Sequence, residues 1–215
     1  MVSFTEAVSL RESTRVYLRP WSMADGELLA ALNTPEMTAH TGGPESAEKL
    51  SDRLRRYAEP RGDGAMFVIE NSAREPVGSI GFWRREWQGE QVYEAGWAVL
   101  PEFQGRGIAS KAARLVIQRA AAAGHAAMLH AYPRVEHAAS NATCRKAGFR
   151  LIGVVDFEYP PGHPIRSNDW VVDLGQASKQ RAESGLNAVI DLVIDLVTDP
   201  PRKSGRPLRL SAATR

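Results

Sequence analysis

The run Val99-Leu-Pro-Glu-Phe-Gln-Gly-Arg-Gly-Ile-Ala-Ser110 decides how the chain is read. Before it, Val92 to Val99 alternates, with Tyr93, Ala95, Trp97 and Val99 on one face and Glu94, Gly96 and Ala98 on the other, the period of a strand. From Arg106 to Ala123 the period becomes helical, with Ile108, Ala112, Leu115, Val116 and Arg119 roughly along one side and Gly124 as the stop. A strand therefore passes through a glycine-rich turn into a helix. A helix start presents unpaired N–H groups and the positive end of the dipole, and glycines let the backbone approach oxygens with no Cβ in the way, so this geometry suits a pyrophosphate. Two nucleotide motifs are excluded by the letters: a Walker loop needs Gly-Lys-Ser/Thr where Gly107 is followed by Ile108-Ala109, and the dinucleotide fingerprint needs a third glycine where Ser110 stands.

Working outward, Arg15 to Arg19 alternates before Pro20 as a half-buried strand does. Ser22 and Ser46 each cap a helix, the first carrying Leu28, Leu29 and Leu32, the second running to about Tyr57. Ala65 to Glu70 and Val77 to Trp83 read as strands of a hairpin across the turn residues Asn71 to Pro76. Downstream, Ala126 to Tyr132 is a short strand, Ser140 to Ala147 a short helix ended by Gly148, and Phe149 to Glu158 and Trp170 to Leu174 are closing strands. The order of one strand, two helices, three strands, helix, strand, helix and two strands implies an α/β mixed fold, one sheet covered by helices.

With 215 residues, 43% of them apolar, the chain can bury one substantial core with an appendage. The formal charge of +2 is uneven: Arg202, Lys203, Arg206, Arg209 and Arg215 lie after Pro201, and without them the remainder is acidic by about three charges. The body is therefore no nucleic-acid surface. Cys144 is the only cysteine, which excludes an intrachain disulfide and a thiolate-rich metal cluster and fits a reducing cytoplasm. The first residues lack a basic start and an apolar stretch, and no run of about 18 apolar residues occurs, so a soluble, unexported, cytoplasmic protein away from the membrane is expected. Residues 1–13 read as an extension, 14–174 as the domain, 175–201 as a helical appendage and 202–215 as a basic, disordered tail. In the appendage Leu186, Val189, Ile190, Val193, Ile194 and Val197 make an apolar stripe suited to packing on the body or on a sister subunit of a homodimer.

The central stretch resembles motif A of the Gcn5-related N-acetyltransferases (GNAT), Gln/Arg-x-x-Gly-x-Gly/Ala, here Gln104-Gly105-Arg106-Gly107-Ile108-Ala109. The preceding Gly96-Trp-Ala-Val-x-Pro101-Glu102 belongs to the match. A second block, His137-Ala-Ala-Ser140-Asn-Ala-Thr-Cys144-Arg-Lys146-Ala-Gly148-Phe149, looks like the family's Asn-x-x-Ser/Ala-x-x-x-Tyr-x-Lys-x-Gly-Phe. His137 replaces the usual Asn, and Cys144 stands where many members place a tyrosine acid. The opening Val16-Tyr-Leu-Arg19-Pro20-Trp21 resembles the branch with ribosomal-protein alanine N-acetyltransferases. The resemblance spans about Thr14 to Leu174 and implies a twisted, mostly antiparallel mixed sheet of about seven strands flanked by helices. It also implies acetyl-CoA as acetyl donor, with Val99 and Leu100 meeting pantetheine and Gln104, Gly105, Arg106, Gly107, Ile108, Ala109 and Ser110 wrapping the pyrophosphate. His137 and Ser140 would lie beside the cofactor.

Acetyl transfer to an amine needs a neutral nucleophile, a polarised carbonyl and a leaving thiolate. Glu94, on the strand entering the turn, sits where family members often carry an acidic base. A backbone N–H near Val99 is the expected oxyanion donor, and Cys144 is the candidate general acid. His40, His125, His130 and His163 are scattered without metal spacing, so no metal is expected. Trp83 to Gln91 and the Tyr159-Pro-Pro-Gly-His163-Pro loop are candidate rims of an acceptor cleft. The leading expectation is an acetyl-CoA-dependent N-acetyltransferase acting in a ternary complex on a primary amine of a protein N-terminus or small molecule. The alternatives are a non-catalytic acyl-CoA sensor and a ribosome- or nucleic-acid-associated protein working through the basic tail.

Overall fold

Alternation and glycine placement set the strands, and the computed structural model, which describes residues 15–59, 64–158 and 162–179, shows how they assemble. The extension 1–13, the apolar stripe and the basic tail lie outside those residues. In chain order the elements are β1 (Tyr17–Pro20), a 3-10 turn (Met23–Asp25) leading into α1 (Gly26–Ala31), α2 (Ala47–Ala58), β2 (Ala65–Glu70), β3 (Pro76–Trp87) and β4 (Glu90–Val99). A second 3-10 turn (Pro101–Phe103) precedes α3 (Ile108–Ala123), followed by β5 (Met128–Ala131), α4 (Ala138–Ala147), β6 (Arg150–Glu158) and β7 (Pro164–Asp173). The seven strands form one sheet in the order β1-β2-β3-β4-β5-β7-β6. Every neighbouring pair is antiparallel except β4 and β5, which run parallel.

The period-two face assignment for β4 is borne out. Tyr93, Ala95 and Val99 are buried against Ala112, Val116 and Ala120 of α3 and Phe149, with Phe82 meeting Tyr93 edge to face at 4.9 Å. The opposite face is covered by α1 and α2, where Trp21, Leu28, Leu29, Leu32 and Val68 form a second core with Leu50, Leu54 and Tyr57 packed on it. Ser46 caps α2 by accepting the Lys49 N–H at 3.4 Å. One sheet thus separates a helix layer that follows the glycine turn from one that faces Glu94, Gly96 and Ala98. Among the described residues no helix is long and apolar enough to cross a membrane.

Two strands are longer than the sequence reading. The stretch Trp83 to Gln91 is mostly hairpin rather than connection, because Gln88 and Gly89 both take positive φ (52° and 82°). A two-residue turn of that hand matches the strand twist and lets pairing run to Trp87 and Glu90. The last strand begins at Pro164 instead of Trp170 and ends at Asp173, with a helical turn from 174. Its first half looked like loop because Ser167, Asn168 and Asp169 are polar. All three face inward or half inward; Asn168 and Asp169 bond side chains of other elements.

The entry to α1 is fixed by charge. Arg19 donates to Asp25 at 2.6 and 2.8 Å and to Glu70 at 2.8 Å, while Ser22 donates to Asp25 from its N–H and O–H. The Arg19 bonds, chiefly, hold the Asp25 carboxyl down at about 2 against the opposing effect of burial. Because the folded value lies below the unfolded one of about 3.9, this stabilisation is complete above that pH and is lost as pH falls toward 2. Asp25→Asn should cost about 2 kcal/mol at pH 7 and almost nothing near pH 2, checked by urea unfolding of both proteins across that range.

Candidate active site

The site is built where β4 and β5 part. Their ladder holds only Tyr93 with Leu129 and Glu94 with His130, and from Ala95 to Val99 β4 has no strand on that edge among the described residues. On its other edge β4 pairs with β3 without interruption, and the Leu100 N–H continues that ladder to the Val77 carbonyl at 2.9 Å. Backbone groups alternate sides along a strand, so the N–H groups of Trp97 and Val99 point into the opening. A slot of main-chain donors results, roughly 16 Å long at about 3.3 Å per residue from Glu94 to Val99.

The glycine turn closes the far end of this slot. Gly105 and Gly107 have φ of 72° and 74°, the left-handed region glycine tolerates. A Cβ on Gly105 would meet nothing within 4 Å, and one on Gly107 only the Ser110 Oγ, so the turn leaves open space over the first turn of α3. The Gln104 side chain donates to the Val99 carbonyl at 2.9 Å and Ser110 Oγ donates to the Gly107 carbonyl at 2.9 Å, which ties the turn to the strand end and to the helix. Those side chains are thereby spent on shape, and the turn's free donors are backbone. Ile108 and Ala109 pack inward on the α3 core, and Leu100 on the α1 core. Arg106 lies over the Phe103 ring at 5.6 Å.

On the α1–α2 side, a cleft of about 1280 Å³ has Glu94, Gly96 and Ala98 in its floor and Tyr57, Trp83 and Arg85 among its walls. The six-membered ring of Trp83 comes close enough to Gly96 that a Cβ there would lie 2.8 Å from the indole. Glu94 is mostly buried and its Oε2 accepts from Arg85 at 2.6 Å. His137, at the start of α4, stacks on His40 at 4.1 Å, and Arg134 donates to the His40 carbonyl at 3.0 Å. Burial, then the neighbouring His40, pushes the His137 imidazole down from its ordinary value. Met37 of the same loop lies 3.8 Å from the Gln104 amide, so this loop touches both ends of the opening, near α3 and near α4. Since β4 and β5 are parallel, the starts of α3 and α4 open at the same end of the sheet. Ser140 is half-buried in the first turn of α4.

The family model for the GNAT acetyltransferase domain matches residues 15–150. The chain belongs to the GNAT acetyltransferases. A GNAT-family acetyltransferase from Bacillus anthracis is 20% identical over 76% of this chain and 97% of its own, with a TM-score of 0.63. A Salmonella typhimurium acetyltransferase that modifies the N-terminal serine of ribosomal protein L7/L12 is 23% identical, covering 75% and 96%, with a TM-score of 0.62. An aminoglycoside acetyltransferase in complex with coenzyme A is 18% identical over 77% and 98%, with a TM-score of 0.63. No curated protein matches by sequence. The protein is thus an acyltransferase by family, with the mixed, mostly antiparallel GNAT sheet read from its motifs.

Within this GNAT domain, Cys144 does not reach the cleft. It is fully buried in the α3-side core, where desolvation pushes its thiol up to about 12. A thiol in that setting packs as a small apolar side chain. No local signal marks Asn141, which donates to the Arg134 and His137 carbonyls at 2.9 Å and accepts from Asn168 and Trp170 at 2.6 and 2.8 Å. This one amide holds the β5–α4 loop against β7. Histidine spacing along the chain gives His130 no role, yet its Nδ1 lies 2.7 Å from Asp169 Oδ1. The signal for it was the register: alternate positions of β5 put His130 and Tyr132 on the face of Glu94. Among the described residues no cluster of His, Cys, Asp and Glu is arranged for a metal. Because Cys144 is the only thiol, its burial is directly measurable. A disulfide reagent at pH 8 should find no reactive thiol in the folded protein and one per chain in denaturant; prompt reaction when folded would place Cys144 in the cleft after all.

Proposed function

We propose that this GNAT domain transfers the acetyl group of acetyl-CoA to a primary amine by direct attack, both substrates bound together. The reading is carried by one observation: the edge of β4 from Ala95 to Val99, open toward β5, runs straight into a left-handed glycine turn at the start of α3. Backbone amides of Gln104 to Ser110 suit a pyrophosphate, and the Trp97 and Val99 groups suit a chain of amides lying along the strand. Bound there, acetyl-CoA supplies an activated acyl group as a thioester.

The residues of the chain provide the rest. The Val99 N–H is the proposed donor to the carbonyl oxygen, since it faces the slot and a strand held on its other edge cannot turn it away. Glu94 is the proposed receiver of the amine. Its Oε2 is held by Arg85 and its Oε1 takes no hydrogen bond among the described residues, which leaves one carboxylate oxygen to seat an ammonium and draw its proton, directly or through water. No side chain is assigned as acid: a CoA thiol has an acidity near the ordinary cysteine value of about 8.5 and leaves with little help.

Peptide N-termini, aminoglycosides and polyamines are the classes to screen, because the relatives of this fold are named for each. Calorimetric titration should show acetyl-CoA binding to the protein and not to Gly107→Glu, in which a side chain and negative charge fill the phosphate turn; equal binding by both would remove the assignment. Glu94→Gln should keep acetyl-CoA affinity and lower kcat by about 100-fold, read as amine-dependent thiol release. Normal turnover would remove Glu94 from the reaction.

A further inference from the structure

An imidazole and a second carboxylate share the face of the sheet that carries Glu94. His130 is the register partner of Glu94 across the β4–β5 ladder, at the last step before the strands part. It pairs on the other side with Val171 of β7, and Asp169, two residues along β7, emerges on the same face. The Nδ1 to Oδ1 separation of 2.7 Å joins them, with His130 8% and Asp169 3% exposed. An ionised carboxylate only accepts, so the hydrogen sits on Nδ1 and the lone pair on Nε2. Among the described residues Nε2 has no hydrogen-bond partner, while the Tyr132 ring stacks on the imidazole at 5.6 Å and 16°. Trp87 and Arg85 in turn lie against Tyr132, at 4.9 and 5.4 Å. The ring is thus held at one nitrogen and one face, and only Nε2 is left for chemistry.

The reaction needs such a group. The acceptor amine arrives as an ammonium, and an imidazole with a free ring nitrogen is the side chain suited to take a proton from it near neutral pH. We infer that the proton drawn from the acceptor amine at Glu94 ends on Nε2 of His130, which Asp169 orients, so that the two groups act in series. This rests on the acetyl-transfer reading above. The balance is complete: of the three ammonium protons one goes to Nε2 and later to solvent, one ends on sulfur, and one stays on the amide as the N–C bond forms and the C–S bond breaks. Asp169 remains ionised and is a positioning residue.

The titratable and charged groups that share this face around His130 are Glu94 of β4, Arg85 of β3, Asp169 and Asp173 of β7 and Tyr132 of β5, with Arg150 of β6 two strands away. Burial raises the Tyr132 phenol beyond its ordinary range, so it stays protonated and does not compete for the proton.

Three variants test the pair in the full chain: His130→Gln, Asp169→Asn and His130→Ala. The first readout needs no turnover. In 15N spectra of histidine-labelled protein, one ring should show the Nδ1–H tautomer, vanish in His130→Gln and become a tautomer mixture in Asp169→Asn; an Nε2–H ring at His130 would overturn the proposal. In amine-dependent thiol release, His130→Gln should lower kcat about 100-fold or more with acetyl-CoA affinity unchanged, and flatten the acidic limb of the kcat/KM profile. Added imidazoles should restore His130→Ala, with the restored rate rising with the basicity of the imidazole. Wild-type turnover with an unchanged limb, or rescue indifferent to basicity, would overturn the role of His130. Acetyl-CoA titration of the wild type in the same series keeps the two readings apart, because failure there defeats the acetyl-transfer reading itself.

Discussion

The parting of β4 from β5 just past Glu94 is the constraint on which the rest of the molecule depends. A sheet that stays closed leaves no main-chain donors for a ligand. Here β3 holds β4 from Gly78–Val99 to Trp87–Glu90, so β4 keeps its strand geometry after its other neighbour has gone. An unpartnered edge in a sheet interior is costly unless something satisfies it, since buried N–H and C=O groups are almost always paired. The chain satisfies one of them itself, through the Gln104 amide on the Val99 carbonyl. The Trp97 and Val99 donors are left for a ligand. The parallel sense of β4 and β5 follows from the crossover through α3, and it brings the starts of α3 and α4 to the mouth of the same opening.

The face of the sheet away from α3 carries the groups proposed to react. Because cross-strand partners share a face, Trp83 stands opposite Glu94 on β3 and His130 beside it on β5. Arg85 links this row from both ends, bonded to Glu94 and lying over Trp87 and Tyr132. The Arg19–Asp25 pair plays the corresponding part for the wall of the cleft, since it sets the entry of α1, whose leucines pack against the same sheet face. Charge therefore fixes the frame around the cleft, while the side that carries α3 is held almost wholly by apolar packing.

Much of this was legible in the chain alone, for identifiable reasons. The glycine turn and the alternation of β4 were plain because both are local: positive φ needs glycine, and a half-buried strand needs period two. All seven strands and the order of the helices followed from such signals. What local reasoning missed depends on partners far away in sequence. Ser167 to Asp169 looked like loop because a polar run carries no strand signal, and only Asn141 and His130, 27 and 39 residues distant, make those side chains interior. Cys144 looked like an acid because its place in a motif suggested one, whereas its zero exposure is a property of how α4 packs. His130 carries no signal in spacing along the chain, because its carboxylate partner comes from the neighbouring strand β7, 39 residues further on.

A crystal structure of the protein with acetyl-CoA tests the central claim most directly. The account predicts the pyrophosphate on the backbone amides of Gln104 to Ser110, the pantetheine along the open edge of β4, and the thioester beside Glu94 and His130. Cofactor bound elsewhere, or an opening between β4 and β5 that stays empty at saturating acetyl-CoA, would contradict it.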